Sequence, residues 1–111
     1  PDDGSECLML PCFVAKGEGK FDTIPAEVHI HRIESGFVAT AYFTVPDGIE
    51  EALVHMTCKG KEPDNELTTK IEDENENIAS VRGVFTGNDL KREDIQITLV
   101  TYTADEVGAD G

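Results

Sequence analysis

The residues best suited to chemistry are few. His29 and His31 stand two apart in EVHIHRIESGF, residues 27–37, and His55 is the only other histidine. On an extended strand, side chains two apart share a face, so His29 and His31 point one way while Val28, Ile30 and Arg32 point the other. Two imidazoles so placed can chelate a zinc-, nickel- or copper-type ion, but a structural site needs a third and a fourth ligand. His55 supplies a third only where its strand neighbours that of His29 and His31. Two imidazoles alone leave the coordination sphere mostly water, so metal binding through them is expected to be weak. The pattern reads first as the solvated face of a strand.

Carboxylates are abundant, and their spacing suits recognition more than catalysis. EDENENI, residues 72–78, gathers Glu72, Asp73, Glu74 and Glu76 at one turn. It lacks the D-x-[DN]-x-[DN]-G pattern of a calcium loop and reads as a solvated acidic tip. Glu50 and Glu51 open a strand, and Glu62, Asp64 and Glu66 lie in a polar link. These nine residues are the candidate binding set. No carboxylate is embedded in an apolar run of the kind that tunes an acid catalyst. Ser5, Ser35 and Ser80 are the only serines, and none sits in G-x-S-x-G. GEGK in AKGEGKF is too short for a phosphate-binding loop and lacks the following Ser or Thr. The sequence predicts neither an enzyme nor a cofactor.

Cys7, Cys12 and Cys58 make an odd count, with no C-x-x-C, and so argue against a disulfide framework. Cys7 and Cys12 are five apart and would face opposite sides of one strand. Buried free thiols are the expectation, with a bridge from Cys58 to Cys7 or Cys12 left open in an oxidising compartment.

The chain has 111 residues and a formal net charge of −14. The excess is spread along it: residues 1–60 carry ten acidic and four basic side chains, residues 61–111 thirteen and five. Such a field repels phosphate backbones and attracts basic partners, so direct nucleic-acid binding is not expected and a basic protein partner is. No apolar run approaches the roughly 20 residues of a membrane helix. PDDGSECLML places no basic residue ahead of its apolar ones, so as it stands it is not a signal peptide, which favours an intracellular protein. Oligomeric state has no signature here.

The elements that must hold these groups are strands. In GFVATAYFTVP, Phe37, Ala39, Ala41 and Phe43 alternate with Val38, Thr40, Tyr42 and Thr44. ALVHMTCKG, NIASVRGVFTG and DIQITLVTYT repeat the period of two, and CLMLPCFVA, AEVHIHRI and ELTTKIE complete about seven strands. Pro11 assigns the first to an edge or a bulge, and Gly83 marks a bulge or a close approach. IESGF and DENEN read as hairpin turns, and GNDLKRED as one helical turn capped by Asn88 or Asp89. The predicted core comprises Phe37, Ala39, Phe43, Val54, Val81, Phe85, Ile95, Ile97 and Leu99. The fold class is all-β: an antiparallel β-sandwich, immunoglobulin-like or prealbumin-like, as one domain over residues 1–104 with a disordered acidic tail at 105–111.

Residues 68–103, TTKIEDENENIASVRGVFTGNDLKREDIQITLVTYT, resemble the C-terminal half of prealbumin-like sandwich modules, including the Cna-B repeats of bacterial surface proteins. Asp73, Asn75 and Asn77 match the acidic tip, Phe85 the following strand, and Ile95, Ile97 and Leu99 the alternating last strand. The tip glycine is missing, and Ile95 replaces the aromatic that often opens that strand. The resemblance implies a non-catalytic structural or adhesive module. LMLP at 8–11, LVH at 53–55 and DNE at 64–66 are similar to stretches of phage inhibitors of uracil-DNA glycosylase. Two functions follow as expectations: an acidic binding or structural module acting through protein–protein contacts, or an acidic nucleic-acid mimic that inhibits a DNA-binding enzyme. A weak metal-binding β domain is the third.

Overall fold

The computed structural model describes residues 5–17, 19–46, 49–87 and 90–103. The strands are β1 (Ser5–Gly17), β2 (Lys20–Ile33), β3 (Gly36–Thr44), β4 (Ile49–Cys58), β5 (Lys70–Asp73), β6 (Ile78–Thr86) and β7 (Ile95–Thr103). The all-β expectation and the strand number hold. The arrangement differs from two packed antiparallel sheets: all seven strands form one curled sheet in the order β4-β7-β1-β2-β3-β6-β5. The sheet is mixed, because β1 and β7 run parallel from Cys12–Ile97 to Ala15–Val100 while every other pair is antiparallel.

Pro11 does not make β1 an edge strand; β1 lies between β2 and β7. Pro11 stands directly opposite Pro25, so neither is required to donate a backbone N–H to the other. The pairing of β1 with β7 begins one residue later, at Cys12, and that of β2 with β3 begins only at Glu27. Each proline thus lies where no neighbouring strand needs its missing donor.

The inner, concave face holds the core. Val28, Ile30, Phe37, Phe43, Met56, Val81, Phe85, Ile97 and Leu99 are buried there, each worth roughly 1.5–3 kcal/mol when fully withdrawn from water. Every predicted core residue is buried except Val54, which is partly buried against the cluster. Curvature needs small residues on the inside, and Ala26, Ala39, Ala41 and Ala79 supply them on β2, β3 and β6. Gly83 lets the sheet tighten further, since a Cβ there would lie 3.1 Å from Met56 Sδ of β4. It marks a close approach, and the β3–β6 register runs through it without a bulge.

The outer edge of β6 is covered along much of its length. β5 pairs with its first part, Ile78–Ser80. The predicted strand at ELTTKIE begins only at Lys70 because the preceding segment covers the rest through a side chain. The Asp64 N–H donates to the Val84 carbonyl at 2.7 Å, the Val84 N–H donates to Asn65 Oδ1 at 2.7 Å, and Asn65 Nδ2 donates to the Arg82 carbonyl at 2.9 Å. The Asn65 amide replaces the backbone of a missing strand and blunts an edge that would otherwise pair with another chain.

The β2–β3 and β5–β6 hairpin turns match their sequence signals. Glu34 and Ser35 link β2 to β3. Asp73 Oδ1 accepts the N–H groups of Asn75 and Glu76 at 2.9 and 3.3 Å, and Asn77 takes the left-handed conformation at φ 57° that closes the β5–β6 tip. GNDLKRED contributes one 3-10 turn, Arg92–Asp94; its N-cap position is Lys91, without a side-chain cap. Asn88 and Asp89, the expected caps, lie outside the described residues, as does the predicted tail. Cys12 and Cys58 are buried thiols and Cys7 is an exposed one, and no disulfide joins Cys58 to either of the others.

Candidate functional site

The convex face of the sheet carries the candidate residues His29 and His31, and the register aligns its side chains in rows across the strands. One row reads Cys7, His29, Thr40 and Arg82 on β1, β2, β3 and β6. The next reads Met9, Glu27, Tyr42, Ser80 and Lys70. Where these two rows meet on β1 and β2, three side chains converge. Cys7 Sγ lies 3.5 Å from Glu27 Oε1 and 3.9 Å from His29 Nε2, and Glu27 Oε1 lies 3.8 Å from His29 Nε2. Tyr42 on β3 meets the His29 ring edge-on, with centroids 5.1 Å apart, and limits its rotation. Removal of solvent around Cys7 raises its thiol pKa above the ordinary value, and the thiol's hydrogen bond to Glu27 and the Glu27 charge raise it further.

The predicted histidine set does not assemble. His29 and His31 share the convex face as expected, but the strand of His55 is separated from theirs by β7 and β1. His55 Nε2 instead lies 2.9 Å from Glu62 Oε1. His31 stands one step beyond the cluster, opposite Ser5 and Val38.

At its other end the same face is apolar. Leu53, Val100, Ala15 and Phe21 form one row across β4, β7, β1 and β2. Phe13, the Pro11–Pro25 pair and Met9 extend it towards Cys7. Met9, Phe21 and Leu53 are 62%, 60% and 53% exposed. A shallow groove lined by Met9, Pro11, Thr23 and Pro25 crosses the patch. Sequence reasoning missed this surface because its parts come from four strands whose order the pattern alone does not give.

The acidic candidates fall mostly along the β6 flank. Residues 64–73 run antiparallel to β6, from Val84 down to Ile78, so Asp64, Glu66, Glu72 and Asp73 follow one edge and Glu74 and Glu76 end it at the tip. Three of them hold structure in place. Asp64 Oδ2 accepts the Thr86 hydroxyl at 2.7 Å, Glu72 Oε1 accepts the Ser80 hydroxyl at 2.8 Å, and Asp73 caps its turn. Glu62 faces His55 on the β4 side. The side chains of Glu50 and Glu51 lie outside the described residues. Other carboxylates are engaged elsewhere: Glu6 pairs with Arg92 and Arg32 at one end of the sheet. Among the described residues, the one buried polar side chain is Ser80. Comparison with family models, curated proteins and solved structures finds no match to this chain.

Proposed function

We propose that this chain is a non-catalytic binding module that docks a basic protein partner on the convex face of β4-β7-β1-β2. The observation that carries this reading is the apolar row Leu53–Val100–Ala15–Phe21, extended by Phe13 and Met9, on the surface of a chain with net charge −14. Strand spacing and rise make the patch roughly 15 by 20 Å. That is well below the ~800 Å² each partner contributes to a standard interface. The surrounding surface must supply the rest, and for a chain of net charge −14 a partner with an apolar centre and basic borders is the complement. The prealbumin-like resemblance of residues 68–103 points to the same class, a structural or adhesive module.

The test is recovery of a partner from the native source with the wild-type chain and with a Phe21→Ser, Leu53→Ser variant, followed by reconstitution from purified components. A basic protein that binds the wild type and not the variant supports the reading. Self-association abolished by the same variant would make the occupant a second copy and overturn the basic-partner reading.

The carboxylates strung along the β6 flank favour a second reading, an acidic nucleic-acid mimic that fills the basic groove of a DNA-binding enzyme. Its binding would be lost on charge reversal at that flank and unaffected by Phe21→Ser, Leu53→Ser.

A further inference from the structure

The convergence of Cys7, Glu27 and His29 goes beyond a docking surface. We propose that these three side chains form a site for a zinc-type divalent transition-metal ion, with the remaining position open to water. The donor set fits: thiolate, imidazole and carboxylate are the three protein ligands of zinc.

The geometry fits as well. Bond lengths of about 2.3 Å to sulfur, 2.0–2.1 Å to nitrogen and 2.0–2.2 Å to oxygen, at tetrahedral angles, separate the donor atoms by roughly 3.3–3.6 Å. The three donor pairs stand 3.5, 3.8 and 3.9 Å apart. Closing the remaining few tenths of an ångström requires only small side-chain rotations.

The backbone makes this convergence a property of the fold. Cys7 and His29 are direct cross-strand partners, and Glu27 precedes His29 by two residues on the same face. Since β2 is paired on both sides, Glu27 and His29 project from a fixed backbone, and Tyr42 holds the imidazole edge-on. Of the three residues expected from histidine spacing only His29 takes part; His31 and His55 do not, and the site needs neither. The open face suits an exchangeable ion, or one completed by a side chain from a docked partner, because three protein ligands leave a coordination position free.

Cobalt(II) is the probe, since it takes the same geometry and reports its ligands optically. Titration of the reduced 111-residue chain should give stoichiometric binding, with a thiolate-to-cobalt charge-transfer band in the near ultraviolet, and zinc should displace it. Cys7→Ser should abolish that band. Glu27→Gln and His29→Gln should each weaken binding by more than the roughly 10–100-fold that loss of an outer-sphere partner costs. Cys12→Ala, His31→Ala and His55→Ala should leave band and affinity unchanged. All three proposed ligands are exposed, so their substitution is not expected to unfold the chain, and circular dichroism checks this. Absence of the band, its survival in Cys7→Ser, or an equal loss in His31→Ala would overturn the proposal.

Discussion

Gly83 of β6 and Met56 of β4 meet inside the curled sheet although their strands lie far apart in the sheet order: a Cβ on Gly83 would stand 3.1 Å from Met56 Sδ and 3.2 Å from the Phe85 ring. Both neighbours are fully buried and have nowhere to retreat. Gly83→Ala should therefore destabilise the fold by about 1–3 kcal/mol, the usual range for overpacking. Gly36→Ala should cost at least as much. Its Cβ would collide with the Phe85 carbonyl oxygen and lie 2.8 Å from Thr86 Cα, and backbone yields less readily than a thioether. Urea midpoints measure both, and unchanged midpoints would mean that the strands do not approach this closely.

The core should separate cleanly from the convex face. Phe43→Ala removes a side chain that is 3% exposed and should cost about 3–5 kcal/mol, whereas Leu53→Ala on the convex face should stay within about 0.5 kcal/mol. Comparable losses at the two positions would show that the convex face is covered in the isolated chain.

How much of this was legible in the sequence follows from what a period of two encodes. Alternation in GFVATAYFT assigns each side chain to a face, so Phe37, Ala39 and Phe43 were found without knowing any neighbouring strand. Alternation carries no information about strand order. The parallel contact of Cys12–Ala15 with Ile97–Val100 therefore had no signature, and the single mixed sheet was read as an antiparallel sandwich. Pro11 misled for a related reason: a proline excludes one donor on one side, and its harmlessness depends on Pro25 opposite. The Cys7–His29 pair is hidden because the pattern of AEVHIHRI starts the strand only at Ala26. In fact β2 starts at Lys20, and the pairing of Gly17 with Lys20 sets the register that brings Cys7 to His29.

Asn65 supplies a third prediction. Its amide both accepts from the Val84 N–H and donates to the Arg82 carbonyl, so Asn65→Ala leaves two β6 groups without these partners. A loss of about 1–3 kcal/mol is expected, with faster hydrogen exchange at the Val84 amide. Asn65→Asp keeps the acceptor and loses the donor, so Val84 should stay protected. Rapid exchange at Val84 in the wild type would exclude this closure of the edge.

The buried thiol of Cys12 gives the fold a pH dependence on the alkaline side. Burial pushes its pKa from 9.0 up to about 11. Between these values the unfolded chain releases the proton and the folded chain keeps it, so the folded state binds more protons and stability falls as pH rises. The contribution is intact below pH 9.0 and is lost progressively towards about 11, at no more than roughly 1.4 kcal/mol per pH unit. Cys12→Ala should flatten this slope at some cost in packing. In the native chain, Cys7 should react with a thiol reagent well before Cys12 and Cys58, because it alone of the three is exposed. An unchanged slope in Cys12→Ala would assign the alkaline loss to other groups.

The acidic flank must be tested at residues that do not also build it. Glu72 holds Ser80 and Asp73 caps the tip, so reversing either confounds recognition with folding. Glu66, Glu74 and Glu76 are exposed on the same flank, and their reversal to Lys should change stability by no more than about 0.5 kcal/mol. If the flank steers a basic partner, the triple reversal should slow association and flatten its salt dependence while leaving dissociation nearly unchanged, since exposed charges act mainly on the encounter. Raising the salt should do the same to the wild type, because screening contracts to about 8 Å at physiological ionic strength. Phe21→Ser and Leu53→Ser should act the other way, speeding dissociation with little effect on association. Stopped-flow kinetics over a salt series separates the two. A partner whose association ignores both salt and the triple reversal is held by the apolar face alone. One that ignores Phe21→Ser and Leu53→Ser but loses all binding on the reversal is held by the flank, as the mimic reading requires.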